Sequence, residues 1–294
     1  MNPANTNLAS SRSPLQLSVF KDISAFVLET MQAESDLEFV IKYVKNAEEA
    51  HDDLTSNKAD FVFMSYDDTL SLALMNNDEE IAAFMPIHGG ILDLCGILNL
   101  DRDQNRVGID TDSGYARALR LYLRRMFPEE SEYHKLHWLK VGATNLRYEK
   151  LLSAEIDATL LNPPFSYLAD VRRITPLVDN ITIVNYQGVV ANLNRSWLKN
   201  SERQRLLDQF IKTYQKNIIT LRNQPQATIN KLANFYQLSP SIAANIYARL
   251  WQKDGLQIPL TFDEEALTAT ELIFSGDTGI NIPPQRHWIL SERC

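Results

Sequence analysis

A turn of polar residues, 111–114, follows a predicted strand and precedes a predicted helix. The hydroxyls of Thr111 and Ser113, with the backbone N–H groups up to Gly114, can hold a carboxylate, sulfonate or phosphate at a helix N-terminus. Either hydroxyl would serve equally well as a plain N-cap. Asp112 weighs against an anionic ligand, because it would repel an anion if it faced inward. We predict Thr111, Ser113 and Gly114 as ligand-binding residues, with helix capping as the alternative.

A second turn, Ser65–Asp68, places two carboxylates at the start of another helix. Asp67 and Asp68 are good capping residues in that position. In the functional interpretation, one carboxylate accepts a hydrogen bond from an amine or a heterocycle N–H, and Tyr66 stacks on the ligand. We predict Tyr66 and Asp67 as ligand-binding residues.

Polar residues also stand at the end of one later strand and within another. Asn162 precedes a pair of prolines, and Tyr186 and Gln187 lie in an apolar strand predicted over 181–191. An amide and a ring at these places can line a cleft, or they can pack at a hinge. Arg147 follows another strand and can pair with an anion bidentately or form an ion pair on the helix surface.

One histidine stands out because two glycines follow it. Gly89 and Gly90 give the backbone freedom to turn, and His88 can act there as a ligand contact or as a proton carrier. His134 and His137 have i, i+3 spacing, but no cysteine or acid cluster joins them. We therefore predict no metal site.

The elements that position these residues alternate between strand and helix. Such alternation implies a mostly parallel sheet flanked by helices. A second unit of this kind begins near Arg106, and the chain is largely helical after residue 200. The predicted strands are 15–20, 37–44, 60–64, 81–87, 106–110, 136–141, 157–161 and 181–191; the predicted helices follow Asp22 and cover 46–57, 115–126, 144–152 (capped by Thr144), 201–222, 224–236, 239–252 and 263–274.

The composition is that of an ordinary globular protein. The chain has 294 residues, of which 45% are hydrophobic and 22% charged, and its formal net charge is -8. This charge argues against a general nucleic-acid binder. Cys95 lies in an apolar run and is predicted to be a buried thiol. No apolar run approaches the roughly 18 residues of a membrane span, and residues 1–14 lack the charged and apolar regions of a signal peptide.

Three segments carry a resemblance to a known family. They are Val141–Pro164, with its Glu-Ile-Asp-Ala turn into a strand, Arg106–Tyr115 and Asn185–Trp197. Together they resemble the substrate-binding proteins of ABC transporters for taurine, alkanesulfonates, nitrate and thiamine pyrimidines, over roughly residues 15 to 275. The chain departs from that family at residues 27–37, which contain none of the glycines that family members often carry there.

The resemblance implies a two-lobed periplasmic-binding-protein-like fold (type 2) with a ligand cleft between the lobes. Each lobe would hold a mostly parallel sheet flanked by helices. Lobe one would comprise residues 14–88 plus 190–294, lobe two would comprise 89–189, and residues 1–13 would be flexible. The two crossings would form the hinge.

The resemblance also implies a function. We predict that the protein binds a small organic molecule between its lobes, without a cofactor, as the substrate-binding component of an ABC-type transporter whose membrane subunits are its partners. The alternatives are a cytosolic enzyme of the pyrimidine-synthase, desulfinase or dehydratase type, with His88, Asp67 or Asp68 as acid or base, and a ligand-sensing module. The location would be periplasmic or extracytoplasmic if an export signal lies outside this chain, and cytoplasmic if the chain is complete.

Overall fold

The computed structural model describes residues 13–99, 101–112, 114–169, 173–176 and 186–290, with only the backbone described for 173–176. The strands in these ranges are β1 Leu15–Val19, β2 Phe39–Tyr43, β3 Phe61–Ser65, β4 Ile81–His88, β5 Asp93–Gly96, β6 Asn105–Ile109, β7 Leu136–Lys140, β8 Ala158–Leu161, β9 Arg173–Pro176 and β10 Val189–Asn194. The α-helices are α1 Ile23–Glu34, α2 Ala47–Thr55, α3 Tyr66–Leu70, α4 Tyr115–Met126, α5 Glu130–Tyr133, α6 Thr144–Leu152, α7 Phe165–Leu168, α8 Ser201–Asn223, α9 Pro225–Tyr236, α10 Pro240–Leu250 and α11 Glu264–Thr278.

The first sheet has the strand order β2-β1-β3-β10-β4. Strand β1 pairs in parallel with β2 and β3, whereas β10 runs antiparallel to both β3 and β4. Four of the five strands therefore share one direction. Strand β3 is buried along its whole length, because Phe61 and Phe63 pack in one apolar cluster with α1 and α8 while Val62 and Met64 pack in another with α2. An unbroken apolar run is what a strand covered on both faces requires.

The second sheet repeats this arrangement in the order β7-β6-β8-β5-β9. Strand β6 pairs in parallel with β7 and β8, and β5 runs antiparallel to β8 and β9. Here too, four of the five strands share one direction, so the predicted mostly parallel sheets are confirmed. Helix α4 covers this sheet with a buried face that includes Leu119 and Leu123.

The chain connects the two sheets by segments that follow β4 and precede β10. Gly188 belongs to the second segment, and its backbone N–H donates to the His88 carbonyl at the start of the first segment, at 3.1 Å. A Cβ added to Gly188 would lie 2.3 Å from the backbone nitrogen of Gly90. The two segments thus touch backbone to backbone, at a distance that only glycine allows.

The largest apolar cluster lies between the first sheet and α1, α8, α9 and α10. Phe210 is fully buried at its centre, with its ring centroid 5.0 Å from that of Phe61 and 6.2 Å from that of Tyr214. Truncation of such a ring to alanine typically costs about 3–5 kcal/mol. This cluster anchors the carboxyl-terminal helices to the amino-terminal strands.

Most predicted elements are confirmed to within a few residues; two predictions differ from the structure, and two strands were not predicted. Thr144 is the first helical residue of α6 rather than its cap, since Ala143 holds the cap position. The predicted strand over 181–191 is wrong for residues 186–188, and β10 continues to Asn194 instead; residues 181–185 lie outside the described part of the chain. Strands β5 and β9 were not predicted, because four-residue strands leave little periodic signal.

Cys95 is buried, as predicted for a cysteine in an apolar run, and Cys294 lies outside the described residues. None of the described helices combines the length and the apolar composition that spanning a bilayer demands.

Candidate functional site

The carboxyl ends of the parallel strands bring polar residues of both sheets together. Ser65 ends β3 and caps α3: its Oγ accepts from the Asp68 N–H at 3.0 Å and donates to Asp68 Oδ2 at 2.6 Å. From the second sheet, Gly114 approaches this turn so closely that an added Cβ would lie 3.4 Å from Ser65 Oγ. Ligands of open α/β sheets collect at such strand ends.

Asp67 joins the two halves of this region. Its Oδ1 accepts a hydrogen bond from the Gly114 N–H at 2.7 Å and forms an ion pair with Arg117 of α4. Arg117 Nε also contacts Asp277 Oδ2 at 3.0 Å. Burial raises the pKa of Asp67 to about 7, although Arg117 and the Gly114 N–H both oppose that rise. Gly114 has φ +60° and ψ -134°, a conformation that favours glycine.

Two tyrosines face each other beside this contact. The ring centroids of Tyr115 and Tyr186 lie 6.0 Å apart, with their planes at 52°. Both hydroxyl oxygens are buried, and neither has a hydrogen-bond partner among the described residues. Burial raises the pKa of each hydroxyl well above its usual value. A buried polar atom without a partner is rare in a native protein, so these two hydroxyls call for an explanation.

Three carboxylates that follow strands act on Tyr115, and one of them, Asp68, also acts on Tyr186. Asp22, Asp68 and Asp110 all act electrostatically on the Tyr115 hydroxyl. We call these three aspartates, with Tyr115 and Tyr186, the inter-sheet site.

Burial changes the titration of two of these carboxylates. It raises the pKa of Asp22 to about 6, although the hydrogen bond from the Ser24 N–H at 2.8 Å lowers this pKa. It also raises the pKa of Asp110, against Arg147 and the Thr111 N–H at 2.8 Å. With a pKa of about 6, the Asp22 carboxyl titrates close to neutral pH.

His88 ends β4 and is buried. Its Nδ1 accepts from the Gly90 N–H at 3.0 Å, which leaves Nε2 as the protonated nitrogen, 3.4 Å from Ser24 Oγ. Burial lowers the pKa of His88 to about 3. The imidazole is therefore neutral at physiological pH, and this geometry favours a role in fixing the crossing segment over proton transfer.

The predicted ligand-binding residues divide between the site and the core. Tyr186 belongs to the inter-sheet site, and Asp67 and Gly114 border it. Tyr66 lies instead in an apolar cluster with Trp288, where its hydroxyl donates to Glu271 Oε1 at 2.7 Å. The structure thus places the Tyr66 ring in the core and not where it can stack on a ligand.

Four more predicted residues remain. Gln187 is fully buried, and its side-chain amide donates to the Val189 carbonyl at 3.1 Å, so it is held by the protein itself. Thr111 is half-buried beside Asp110, and Ser113 lies outside the described residues. Asn162 is buried with its Oδ1 unpaired in the described structure.

Sequence reasoning did not single out Asp110, Tyr115, Arg117 or a ligand role for Asp22. Asp22 had the signal of an N-cap, which it is. Arg147 takes neither predicted role, because its buried guanidinium donates to backbone carbonyls, including that of Gly142 at 2.5 Å. Among the residues with described placement, no group of acids, histidines and cysteines is arranged to hold a metal ion.

Solved structures of known proteins share this architecture. The ligand-binding component of an ABC-type import system from Staphylococcus aureus, with zinc bound, superposes with a TM-score of 0.74 at 14% identity, over 95% of this chain and 97% of that chain. The alkanesulfonate-binding protein SsuA from Xanthomonas axonopodis pv. citri, bound to MOPS, gives a TM-score of 0.69 at 14% identity, over 92% and 94% of the chains.

A Candida albicans protein described as exhibiting the generic periplasmic binding protein structural fold gives a TM-score of 0.68 at 14% identity, over 92% of each chain. No protein-family model matches the sequence, and no curated protein matches it. The likeness therefore lies in the fold, as the two sheets with one reversed strand each also indicate. This chain has the periplasmic-binding-protein fold.

Proposed function

We propose that this protein binds a small organic molecule at the inter-sheet site and delivers it to an ABC-type importer. The observation that carries the proposal is that the buried hydroxyls of Tyr115 and Tyr186 have no hydrogen-bond partner in the described part of the chain. They stand at strand ends of the two sheets, where the fold collects ligands. A ligand that hydrogen-bonds to both would remove the desolvation penalty of about 1–3 kcal/mol that each buried unpaired group carries.

The proposed lobes are residues 14–88 with 190–294, and residues 89–189. The bonds from Gly114 and Arg117 to Asp67 join helix α4 of one lobe to helix α3 of the other. In this proposal they hold the closed form, and opening about the crossing segments admits the ligand. The membrane subunits of the importer are the proposed partners, and the proposed location is the outer side of the cytoplasmic membrane.

A thermal-shift screen followed by mass spectrometry tests the binding function. The purified protein is heated with small metabolites of positive, negative and no charge, since a ligand of the native state must raise the melting temperature. We expect at least one compound to do so and to be recovered unchanged. A compound recovered as a different molecule would contradict a role limited to binding and delivery.

Tyrosine variants assign the binding to the inter-sheet site. Tyr186→Phe removes one hydroxyl, and we expect the dissociation constant of the hit, measured by calorimetry, to rise about tenfold for the lost hydrogen bond. Tyr122→Phe is the matched control: Tyr122 is buried in the same apolar cluster as Tyr186, but it lies two turns after Tyr115 on α4 and outside the inter-sheet site. Equal affinity of Tyr186→Phe and the unmutated protein would place the ligand elsewhere.

The delivery step has a separate test. The proposed partners, the membrane and ATPase subunits of an ABC importer from the same organism, are reconstituted in vesicles, and ATP hydrolysis is measured with the protein and its ligand. We expect the liganded protein to stimulate hydrolysis several-fold more than the ligand-free protein. Equal rates would contradict the importer role while leaving ligand binding intact.

A further inference from the structure

Among the described residues, the inter-sheet site has more carboxylates than cations. Asp22, Asp68 and Asp110 each push the Tyr115 hydroxyl towards its neutral form, and Arg147 acts in the opposite direction. With all groups ionised, these side chains sum to a net negative charge. Such a region favours a guest that brings positive charge.

The nearby arginines are already committed to other partners. Arg117 forms ion pairs with Asp67 and Asp277, so its charge is neutralised by carboxylates other than the three of the site. Arg147 directs its guanidinium at backbone carbonyls and at Thr144 Oγ1, 3.1 Å away. Both cations are held by the protein and neither is placed to receive an anionic ligand.

The histidines near the site do not reverse its charge. His88 is neutral because burial lowers its pKa to about 3. His51 of α2 approaches Asp68 Oδ1 with its Nε2 at 3.4 Å, from a side that is partly open to solvent. Even a protonated His51 would offset one carboxylate and leave Asp22 and Asp110 facing Arg147 alone.

At the start of helix α4, a carboxylate of the protein already occupies one of the N–H groups that could receive an anion. The free N–H groups at the start of a helix attract anions, and at α4 the Gly114 N–H is already bonded to Asp67 Oδ1 at 2.7 Å. An anionic ligand at that helix end would have to displace this carboxylate or lie against it. The geometry therefore disfavours a sulfonate or carboxylate there.

The tyrosine pair adds groups that favour a cation over an anion. Two electron-rich rings, 6.0 Å apart and tilted by 52°, offer faces to a cation. Their unpaired hydroxyls, one on a residue only 6% exposed, can accept hydrogen bonds from N–H groups. Aromatic faces together with carboxylates are the usual surroundings of bound ammonium groups.

We propose that the ligand of the inter-sheet site is an organic cation, either an amine, a guanidine or a quaternary ammonium compound. This inference rests on the proposed binding function and adds the chemical class of the ligand. The positive group would lie against the exposed sides of the Tyr115 and Tyr186 rings, with Asp22, Asp68 and Asp110 as its counter-charges.

Binding of a cation is then coupled to proton release. Burial raises the pKa of Asp22 to about 6 and that of Asp110 above its usual range. A cation stabilises the ionised carboxylates, so its affinity rises as the pH rises through these pKa values. Asp22 alone predicts that affinity falls about tenfold between pH 8 and pH 5.

The test uses matched probes of different charge. Choline, phenyltrimethylammonium, benzylamine and agmatine are compared by calorimetry at pH 8 with uncharged analogues of the same shape, such as 3,3-dimethylbutan-1-ol for choline. Ethanesulfonate and benzenesulfonate are the anionic probes. We expect at least one cation to bind at least tenfold more tightly than its uncharged analogue and than either sulfonate. The dissociation constant of a quaternary ammonium probe is also measured at pH 5, because its own charge does not change.

Two aspartates on one loop supply the variants. Asp110→Asn keeps an oxygen for the Thr111 N–H but removes the charge, and we expect it to weaken cation binding about tenfold. Asp112→Asn is the control, because Asp112 is 64% exposed and pairs with Lys140 outside the site. Urea denaturation of both variants shows that each one folds.

The outcomes separate the two proposals. Binding of sulfonates or uncharged molecules, weakened by Tyr186→Phe and insensitive to Asp110→Asn, would overturn the cation inference and leave the binding function standing. Equal weakening by Asp110→Asn and Asp112→Asn would overturn the inference as well. If no probe of any charge binds, the cation inference falls, and a negative metabolite screen would then remove the binding function too.

Discussion

Two clusters with buried tyrosine hydroxyls, one around Tyr66 and Trp288 and one formed by Tyr115 and Tyr186, differ in their hydrogen bonding. Under the first sheet, the Tyr66 hydroxyl donates to Glu271 Oε1 and accepts from Trp288 Nε1, each at 2.7 Å. At the inter-sheet site, the hydroxyls of Tyr115 and Tyr186 have no partner among the described residues. Burial raises the pKa of all three hydroxyls. Depth of burial therefore does not distinguish the clusters, and pairing does.

The difference separates stabilisation from binding. A fully paired polar group holds the fold together, and its removal leaves its partners without bonds. An unpaired group contributes no such bond, so its polar atom is available to a guest molecule. Mutations in the two clusters should consequently affect different measurements.

The largest effect is expected at Trp288, which closes the first cluster. Trp288→Ala removes a fully buried indole that packs with Phe274 and Leu267. We expect the free energy of unfolding in urea to fall by about 3–5 kcal/mol, with ligand affinity unchanged under conditions where the protein is folded. Leu272→Ala is the control, because Leu272 is 68% exposed. A loss as small as that of the control would show that the cluster does not stabilise the fold.

A direct comparison of the clusters comes from two tyrosine-to-phenylalanine changes. Tyr66→Phe leaves the Trp288 N–H without its partner and removes one of the bonds to Glu271 Oε1, which Arg286 Nε still contacts at 2.6 Å. We expect a loss of about 1–3 kcal/mol in the free energy of unfolding. Tyr186→Phe removes a hydroxyl that bonds to nothing described, so we expect a change near zero in the ligand-free protein. Equal losses would mean that the distinction between the clusters is wrong.

The smallest effect is a change of pH dependence at the inter-sheet site. Burial raises the pKa of Asp22 from 3.8 to about 6, so the stability that its protonated form contributes is full below the unfolded pKa and is lost as the pH rises through about 6. Asparagine keeps the N-cap without titrating. We expect the ligand-free protein to lose about 1–2 kcal/mol relative to Asp22→Asn between pH 4 and 6, in urea denaturations.

The control for this measurement is Asp263→Asn. Asp263 is also an N-cap aspartate, but it is exposed at the start of α11. A parallel pH profile for the unmutated protein and Asp22→Asn would contradict the raised pKa of Asp22. It would also weaken the expected proton release on cation binding.

Local patterns in the sequence predicted most of the fold. The strand and helix alternation from Leu15 to Leu161 follows from apolar periodicity and caps, as at Asn46, whose Oδ1 accepts from the Glu49 N–H at 2.8 Å. The resemblance of three segments supplied the two-lobed architecture, which the solved structures confirm. Short elements such as β5, with four residues, escaped because they lie below the length at which a period can be recognised.

The site was predicted less completely, because its contacts are made between distant parts of the chain. Asp67 and Arg117 are 50 residues apart in sequence, and no local pattern reports that they pair. The environment of Tyr66 likewise depends on Trp288, near the other end of the chain. A turn can be recognised as a place for ligands, but which of its side chains turns inward is decided by packing.

The backbone contact at Gly188 has a consequence for how such a chain can be rebuilt. The segment that leaves after His88 returns at a point where the two strands of chain touch, so its ends lie side by side. A segment whose ends adjoin can be exchanged for another of the same fold while β1–β4 and β10 keep their pairing. We expect chimaeras joined at these glycines to fold, and recombination at the same two points offers a route by which new ligand specificities arise.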